Sequence, residues 1–322
     1  MEQARGPGAI ARLDDRLPVP DRLRGAIIAM GNFDGFHRGH QAVVARAITW
    51  ARAEGRPAIV ATFDPHPMRV FHPDTPPFRL TTLDQRERLF AAAGADAMLV
   101  FHFTPELAGK SAEEFVAMLA GHLGASGVVT GADFTFGHGR SGNIARLKEL
   151  GAPIGLRSEF VPPVVDGRGE VISSSRIRDA LKSGDCATAA DLLTRPFVIQ
   201  GVVQHGAKLG RTIEFPTANL DLGTYLRPAY GVYAVRGLLP GGQDVDGVAN
   251  LGIRPMFDPP KELLEPYFFD WSGDLYGQTI EVELIAWLRA EAKFDGLDAL
   301  TAQIRLDCER ARQILAENPR IA

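Results

Sequence analysis

The segment AIIAMGNFDGFHRGHQ, residues 26–41, passes from an apolar run into a loop of three glycines, one acid and two histidines. The apolar run AIIAM (26–30) predicts a buried strand. The following HQAVVARAITWARAEG (40–55) has the spacing of an amphipathic helix closed by glycine. Strand, glycine-rich turn and helix together open a parallel α/β unit. In such a sheet the loop after the strand lies at the ligand-binding edge, beyond the C-terminal ends of the strands.

The same alternation continues outward. Apolar runs at 58–63, 97–101, 127–131 and 153–161 predict further strands, with helices at 83–94, 111–124 and 141–151 between them. A Rossmann-like, doubly wound parallel sheet is expected over 25–195, preceded by an N-terminal arm of residues 1–24. After Arg178 one or two short helices, DALKSGDCATAADLL, lead into a different texture. Short β-rich runs at 197–204, 231–239, 243–252, 262–270 and 279–288 are punctuated by Gly, Pro and Asp with no helix between them. They predict a small antiparallel β-barrel over 196–322. An amphipathic helix at 297–317, apolar near 300, 304, 306, 311, 314 and 315, ends the chain.

With 322 residues, 45% of them hydrophobic, and a net charge of −4, the chain has the composition of a globular protein able to bury two cores. The acidic balance argues against a nucleic-acid partner held mainly through phosphates. Cys186 and Cys308 lie far apart and form no CxxC pair, which argues against a disulfide framework or cysteine-ligated zinc. The N-terminus has no apolar signal core and no run is long enough to cross a membrane, so no membrane partner and a cytoplasmic location are expected.

At the end of the first strand, a helix beginning near Gly39 offers unpaired N–H groups and its positive dipole end to an anion. His37 and His40 can donate to phosphate oxygens there, and Gly31, Gly35 and Gly39 let backbone approach a ligand. Two plainer readings stand beside this one: a helix cap or surface feature, and a metal site, for which no third ligand is at hand. Three further segments fall at the same sheet edge. They are TFDPHP (62–67), VTGADFTFGHGRSGN (129–143) and ISSSRIR (172–178).

In combination these motifs resemble the HxGH nucleotidyltransferase superfamily and, within it, the bacterial bifunctional riboflavin kinase/FAD synthetase family. The resemblance runs from about Gly25 to the end of the chain. It implies adenylyl transfer in the first domain: the phosphate of FMN attacks the α-phosphorus of ATP, giving FAD and pyrophosphate. The attacking phosphate is already an anion, so the residues' work is positioning and charge stabilisation. The resemblance implies His37, His40 and Arg178 as catalytic groups. Gly31, Phe33, Asp34, Gly39, Ser174 and Arg176 would bind ATP, and Thr62, His66, Asp133, Phe134 and Phe136 would bind FMN, with the role of Asp133 left open.

The second half opens with VVQHGAKLGRTIEFPTANL (202–220). Its basic, glycine-containing loop could wrap phosphates through Gly206, Lys208, Gly210 and Arg211, although alone it reads as an exposed hairpin loop and lacks the P-loop pattern. Thr217 and Asn219, two apart on an extended segment, share a face and could hold Mg²⁺ with ATP phosphates. FPTANL, GVYAV, GVANLGIRPMF, LLEPYFFDWSGDLYG and AEAKFDGLDAL match the family's riboflavin kinase module. That implies a Greek-key barrel and places the general base, which accepts the ribityl hydroxyl proton, on Glu265. Met256 and Glu214 depart from the family's usual Thr and Gly. The expected cofactors and substrates are therefore Mg²⁺, ATP, riboflavin and FMN. An alternative keeps only one half active, with the other a flavin-binding regulatory module. An aminoacyl-tRNA synthetase-like reading of HxGH is opposed by the acidic charge balance.

Overall fold

A computed structural model describes residues 10–205, 215–254 and 261–320. The chain forms two compact units. One contains the residues up to Thr75 together with Thr82–Ser173; the other contains Pro76–Thr81 and the chain from Ser174 onward.

The first unit is built on a six-stranded, fully parallel sheet. In chain order the strands are β1 (Ala11–Asp14), β2 (Ile27–Met30), β3 (Ala58–Asp64), β4 (Ala97–His102), β5 (Gly127–Gly131) and β6 (Arg157–Val161). Their spatial order is β1-β4-β3-β2-β5-β6. From β2 the chain winds first through β3 and β4 to one side, then through β5 and β6 to the other. The switch point between β2 and β5 is therefore where a ligand crevice opens. The helices are α1 (Arg38–Ala53), α2 (Pro67–Phe71), α3 (Leu83–Ala92), α4 (Pro105–Gly109), α5 (Ala112–Ala117) and α6 (Ile144–Gly151).

The central strands read as continuous apolar runs because both faces are covered: β2 is buried along its whole length, and so are the first six residues of β3. Helix α1 turns Val43, Val44, Ala47, Trp50 and Ala51 into one of the two cores, at the spacing of a single helical face.

Two expectations for this unit need correction. Residues 11–14, assigned by sequence to an arm outside the domain, form the edge strand β1, paired with β4 from Ala11↔Ala97 to Asp14↔Val100. An edge strand needs only one covered side, so ARLD carries charges instead of an apolar run. The helix expected over 111–124 is regular only to Ala117. It then widens into a turn in which Leu123 N–H donates to Met118 O at 3.0 Å.

The second unit begins with α7 (Ser174–Lys182) and α8 (Cys186–Leu193). Both belong with the barrel, so the compact units divide at Ser173/Ser174, ahead of the residue 195 expected from composition. Local packing explains it: Ala229 N–H donates to Leu181 O at 2.9 Å, and Gly184 backs onto the Trp287 ring, where a Cβ would come within 3.1 Å.

The barrel strands are β7 (Phe197–Val202), β8 (Leu220–Asp221), β9 (Gly231–Leu239), β10 (Gln243–Arg254), β11 (Lys261–Phe268) and β12 (Thr279–Arg289), in the antiparallel order β7-β12-β9-β10-β11-β8. The barrel nearly closes. Between the two edge strands, just after β7 and just before β8, Gln204 N–H donates to Asn219 O at 2.9 Å. Helix α9 (Leu297–Glu317) covers it through Ala311 and Leu315. Leu306, expected on the apolar face, is exposed; Asp307 is buried instead.

Candidate active sites

In the first unit, the loop from Gly31 to His37 is held by backbone conformation. Phe33, Gly35 and Phe36 all lie in the left-handed region, with φ of 48°, 87° and 46°. For the two phenylalanines this costs roughly 1–3 kcal/mol each, so the surroundings must enforce it. The sequence gives no hint of a positive φ at a phenylalanine. Both rings are buried and meet Phe90 of α3 edge-on, at 5.8 Å for Phe33 and 5.1 Å for Phe36. Gly31 fits because a Cβ there would press on the Phe33 ring at 3.1 Å.

This loop delivers His37 to the N-cap of α1, where its Nδ1 accepts from His40 N–H at 3.4 Å. An accepting Nδ1 puts the proton of a neutral ring on Nε2, which becomes a donor. The two imidazoles stack with centroids 3.6 Å apart and planes 20° from parallel, and the Phe33 ring stands edge-on to His40 at 5.3 Å. Gly39 is required here: a Cβ would lie 3.1 Å from His37 Cε1 and 3.6 Å from the carbonyl oxygen of Ile172. The first residue of the ISSSRIR element thus stands beside the histidine turn. Asp34 and His37 are nearly fully buried.

Other expected residues fall differently. Thr62 is completely buried: its hydroxyl donates to Asn32 O at 2.7 Å and accepts from Arg86 Nη1 at 2.7 Å, which makes it a tie between β3 and the histidine loop. His66 caps α2, accepting from Met68 N–H at 3.1 Å. Phe134 is partly exposed and stacks at 5.8 Å on Phe136. Phe136 itself is a core residue packed on Phe115. It also closes the glycine-rich loop, exchanging backbone bonds with Gly142 at 3.1 and 2.8 Å. Asp133 is exposed at the mouth of that loop. Ser174, Arg176 and Arg178 open α7 in the second unit. There Arg178 Nε donates to Phe78 O at 2.9 Å and its guanidinium lies over the Phe78 ring at 5.2 Å.

The barrel contains a cavity of about 590 Å³. Val232, Val248, Leu300 and Ile304 supply an apolar lining, and Thr217, Arg254, Glu265 and Glu291 a polar one. Glu265 projects from β11, opposite Asn250 of β10. Arg254 Nε donates to Glu265 Oε2 at 2.8 Å, with Arg254 Nη2 bonded to the same oxygen. Arg254 Nη1 reaches Glu291 at 3.3 Å, and Asn250 Nδ2 donates to the same Glu291 oxygen at 3.2 Å. Burial disfavours the charge on Arg254, but these carboxylates outweigh it and raise its pKa above the ordinary value. Neither Arg254 nor Glu291 stands out in sequence: the pairing of Arg254 with Glu265 depends on the β10–β11 register, and Glu291 reaches Arg254 only through the path of the chain after β12.

Thr217 lines the cavity, and next to it Ala218 N–H donates to Pro266 O at 2.9 Å, which fixes the PTAN segment beside Glu265. Asn219 is buried, and it is not among the cavity's lining residues. The cavity's far wall is locked by a bidentate pair, Arg289 with Asp307 of α9, with contacts of 2.9 and 2.7 Å. Among the described residues no group of three or more His, Cys, Asp or Glu could hold a metal ion. The phosphate-loop candidates Gly206, Lys208, Gly210 and Arg211 lie outside the described residues, as do Glu214 and Met256.

Comparison with known proteins covers both units. The family model for FAD synthetase matches residues 19–176, and that for riboflavin kinase residues 193–315. A bifunctional riboflavin kinase/FMN adenylyltransferase from Escherichia coli is 39% identical over 290 residues, covering 90% of this chain and 92% of the relative. Its Bacillus subtilis counterpart is 36% identical over 292 residues, 89% of this chain and 91% of the relative. A crystal structure described as a macrolide-efflux protein from Streptococcus pneumoniae superposes with a TM-score of 0.84 at 32% identity, covering 94% of this chain and 99% of that one. Among the described residues no helix is long and apolar enough to cross a membrane.

Proposed function

Since the chain belongs to the bifunctional riboflavin kinase/FMN adenylyltransferase family, we propose that it makes FMN from riboflavin in the barrel and FAD from FMN on the parallel sheet, with ATP as co-substrate in both steps. The observation that carries the reading is the presence, in one chain, of a stacked histidine pair at a helix N-terminus and a cavity holding a strand-borne glutamate.

In the barrel, the apolar lining suits a flat ring system and the polar lining a polyol tail. The ribityl hydroxyl attacks the γ-phosphorus of ATP, the bond to the β-phosphate oxygen breaks, and ADP leaves. Both Arg254 contacts fall on Oε2 of Glu265, so we assign the released proton to Oε1. Thr217, on the cavity wall, offers a neutral, hard oxygen of the kind Mg²⁺ accepts alongside phosphates and water, and Asn219 keeps its proposed role on the PTAN motif alone, since it lies off that wall. When bound, the ion would neutralise the transferred phosphoryl group.

On the sheet, an FMN phosphate oxygen forms the new bond to the α-phosphorus and pyrophosphate departs. His37 and His40, with the α1 N-terminus, donate to the phosphate oxygens. Arg176 and Arg178 keep their proposed role as cations for pyrophosphate, which rests on the ISSSRIR motif. For FMN, His66, Phe134 and the exposed Asp133 remain candidates, whereas Thr62 and Phe136 support the fold around it. Both cysteines are free thiols, in keeping with a reducing, cytoplasmic setting.

The test is a time course with riboflavin and Mg-ATP, with the flavins separated chromatographically. FMN rising before FAD is the expected result. FAD formed from added FMN but no conversion of riboflavin would leave the barrel as a flavin-binding module, and formation of neither product would refute the reading.

A further inference from the structure

We infer that Arg86 is a positioning residue for adenylyl transfer, fixing His40 through the loop that precedes it; this rests on the adenylyltransferase reading above. Arg86 is only 2% exposed, a rare place for a guanidinium. Its Nη1 donates to Asn32 O at 3.1 Å and to Thr62 Oγ1 at 2.7 Å, while that hydroxyl donates to the same carbonyl at 2.7 Å. The three groups close a triangle on the peptide that leads into Phe33, the first residue of left-handed backbone. The ring of Phe33 in turn meets His40 edge-on. One turn along α3 from Arg86, Phe90 receives both loop phenylalanines. Helix α3 therefore grips the histidine loop twice, by a cation on its backbone and by a ring against its side chains. A buried aliphatic residue at position 86 could fill space, but it could not direct the Asn32 carbonyl. The requirement served is orientation, for which an error of about 1 Å can cost on the order of 10²-fold in rate.

The experiment compares Arg86→Met, Arg86→Lys and Thr62→Val in the full chain, measuring FAD formation from FMN with riboflavin phosphorylation as the control for folding. Arg86→Met is expected to lower kcat for FAD formation by about 10²-fold, with KM for ATP little changed and kinase activity and Tm retained. Arg86→Lys should restore part of the loss, because it keeps a donor. Thr62→Val should give a smaller fall in kcat, and adding it to Arg86→Met should cost little more, because one triangle is being broken twice. Unchanged kcat in Arg86→Met overturns the inference. So does a loss that Arg86→Lys does not relieve, or one matched by equal losses in kinase activity and Tm, which would mark a merely structural role. Should Arg86→Met fail to fold, Thr62→Val decides: reduced kcat at unchanged Tm supports the inference, and unchanged kcat sinks it. An unmodified chain that made no FAD from FMN would instead sink the parent reading and this inference with it.

Discussion

The two sites are held in place by different physics. The histidine site is shaped mainly by backbone conformation within ten consecutive residues, with left-handed phenylalanines and glycines that let rings approach, and is secured by the His37 cap and the buried Arg86. The barrel site is held by side-chain charge pairs drawn from β10, β11, β12, the segment after it, and α9. Backbone conformation is costly to reach but responds little to salt. Charge pairs are tuned by every neighbouring charge, and removing one partner leaves the other poorly compensated. The first arrangement suits a reaction whose nucleophile is already an anion and needs only alignment. The second suits one that must also move a proton.

That contrast can be tested from the barrel side. Glu265→Gln should lower riboflavin phosphorylation by about 10²–10⁴-fold, the usual worth of a general base. FAD formation from supplied FMN should persist; its loss would mean that the sites are not separate. Asp307→Asn should come next. It leaves Arg289 without its charge partner and should cost about 1.5–3 kcal/mol in denaturant unfolding, with weaker riboflavin binding and no change in FAD formation from FMN. If riboflavin KM does not move, the cavity does not depend on the α9 lock.

Arg254→Met should have the smallest effect, a fall of about tenfold in kinase kcat, which corresponds to ~1.4 kcal/mol of lost orientation of Glu265. A rise in kcat would contradict that assignment, by showing that Arg254 restrains the carboxylate instead of orienting it.

The same contrast explains what could be read from sequence. Strand–helix alternation located the parallel sheet and the histidine loop, because continuous apolar runs and a glycine-rich turn are local signals. The period of the terminal helix predicts 297–317, and the structure has it at Leu297–Glu317. Edge strand β1 escaped because a half-covered strand has no apolar run. Arg86 escaped because a charged residue in LDQRERLF reads as solvated, and only the packing of α3 shows it buried. The helical period points to Leu306 and not to Asp307, since it carries no information about Arg289 beneath the helix. Arg254 needed the strand register that sets β10 beside β11, and Glu291 the path of the chain after β12.

The most direct measurement is the time course of the His40→Ala protein given riboflavin and Mg-ATP. Riboflavin should be consumed at the rate seen in the unmodified chain, with FMN accumulating as the end product and FAD formation abolished. FAD still appearing at the unmodified rate, or both products lost from a protein that remains folded, would contradict the assignment of two separate sites in one chain.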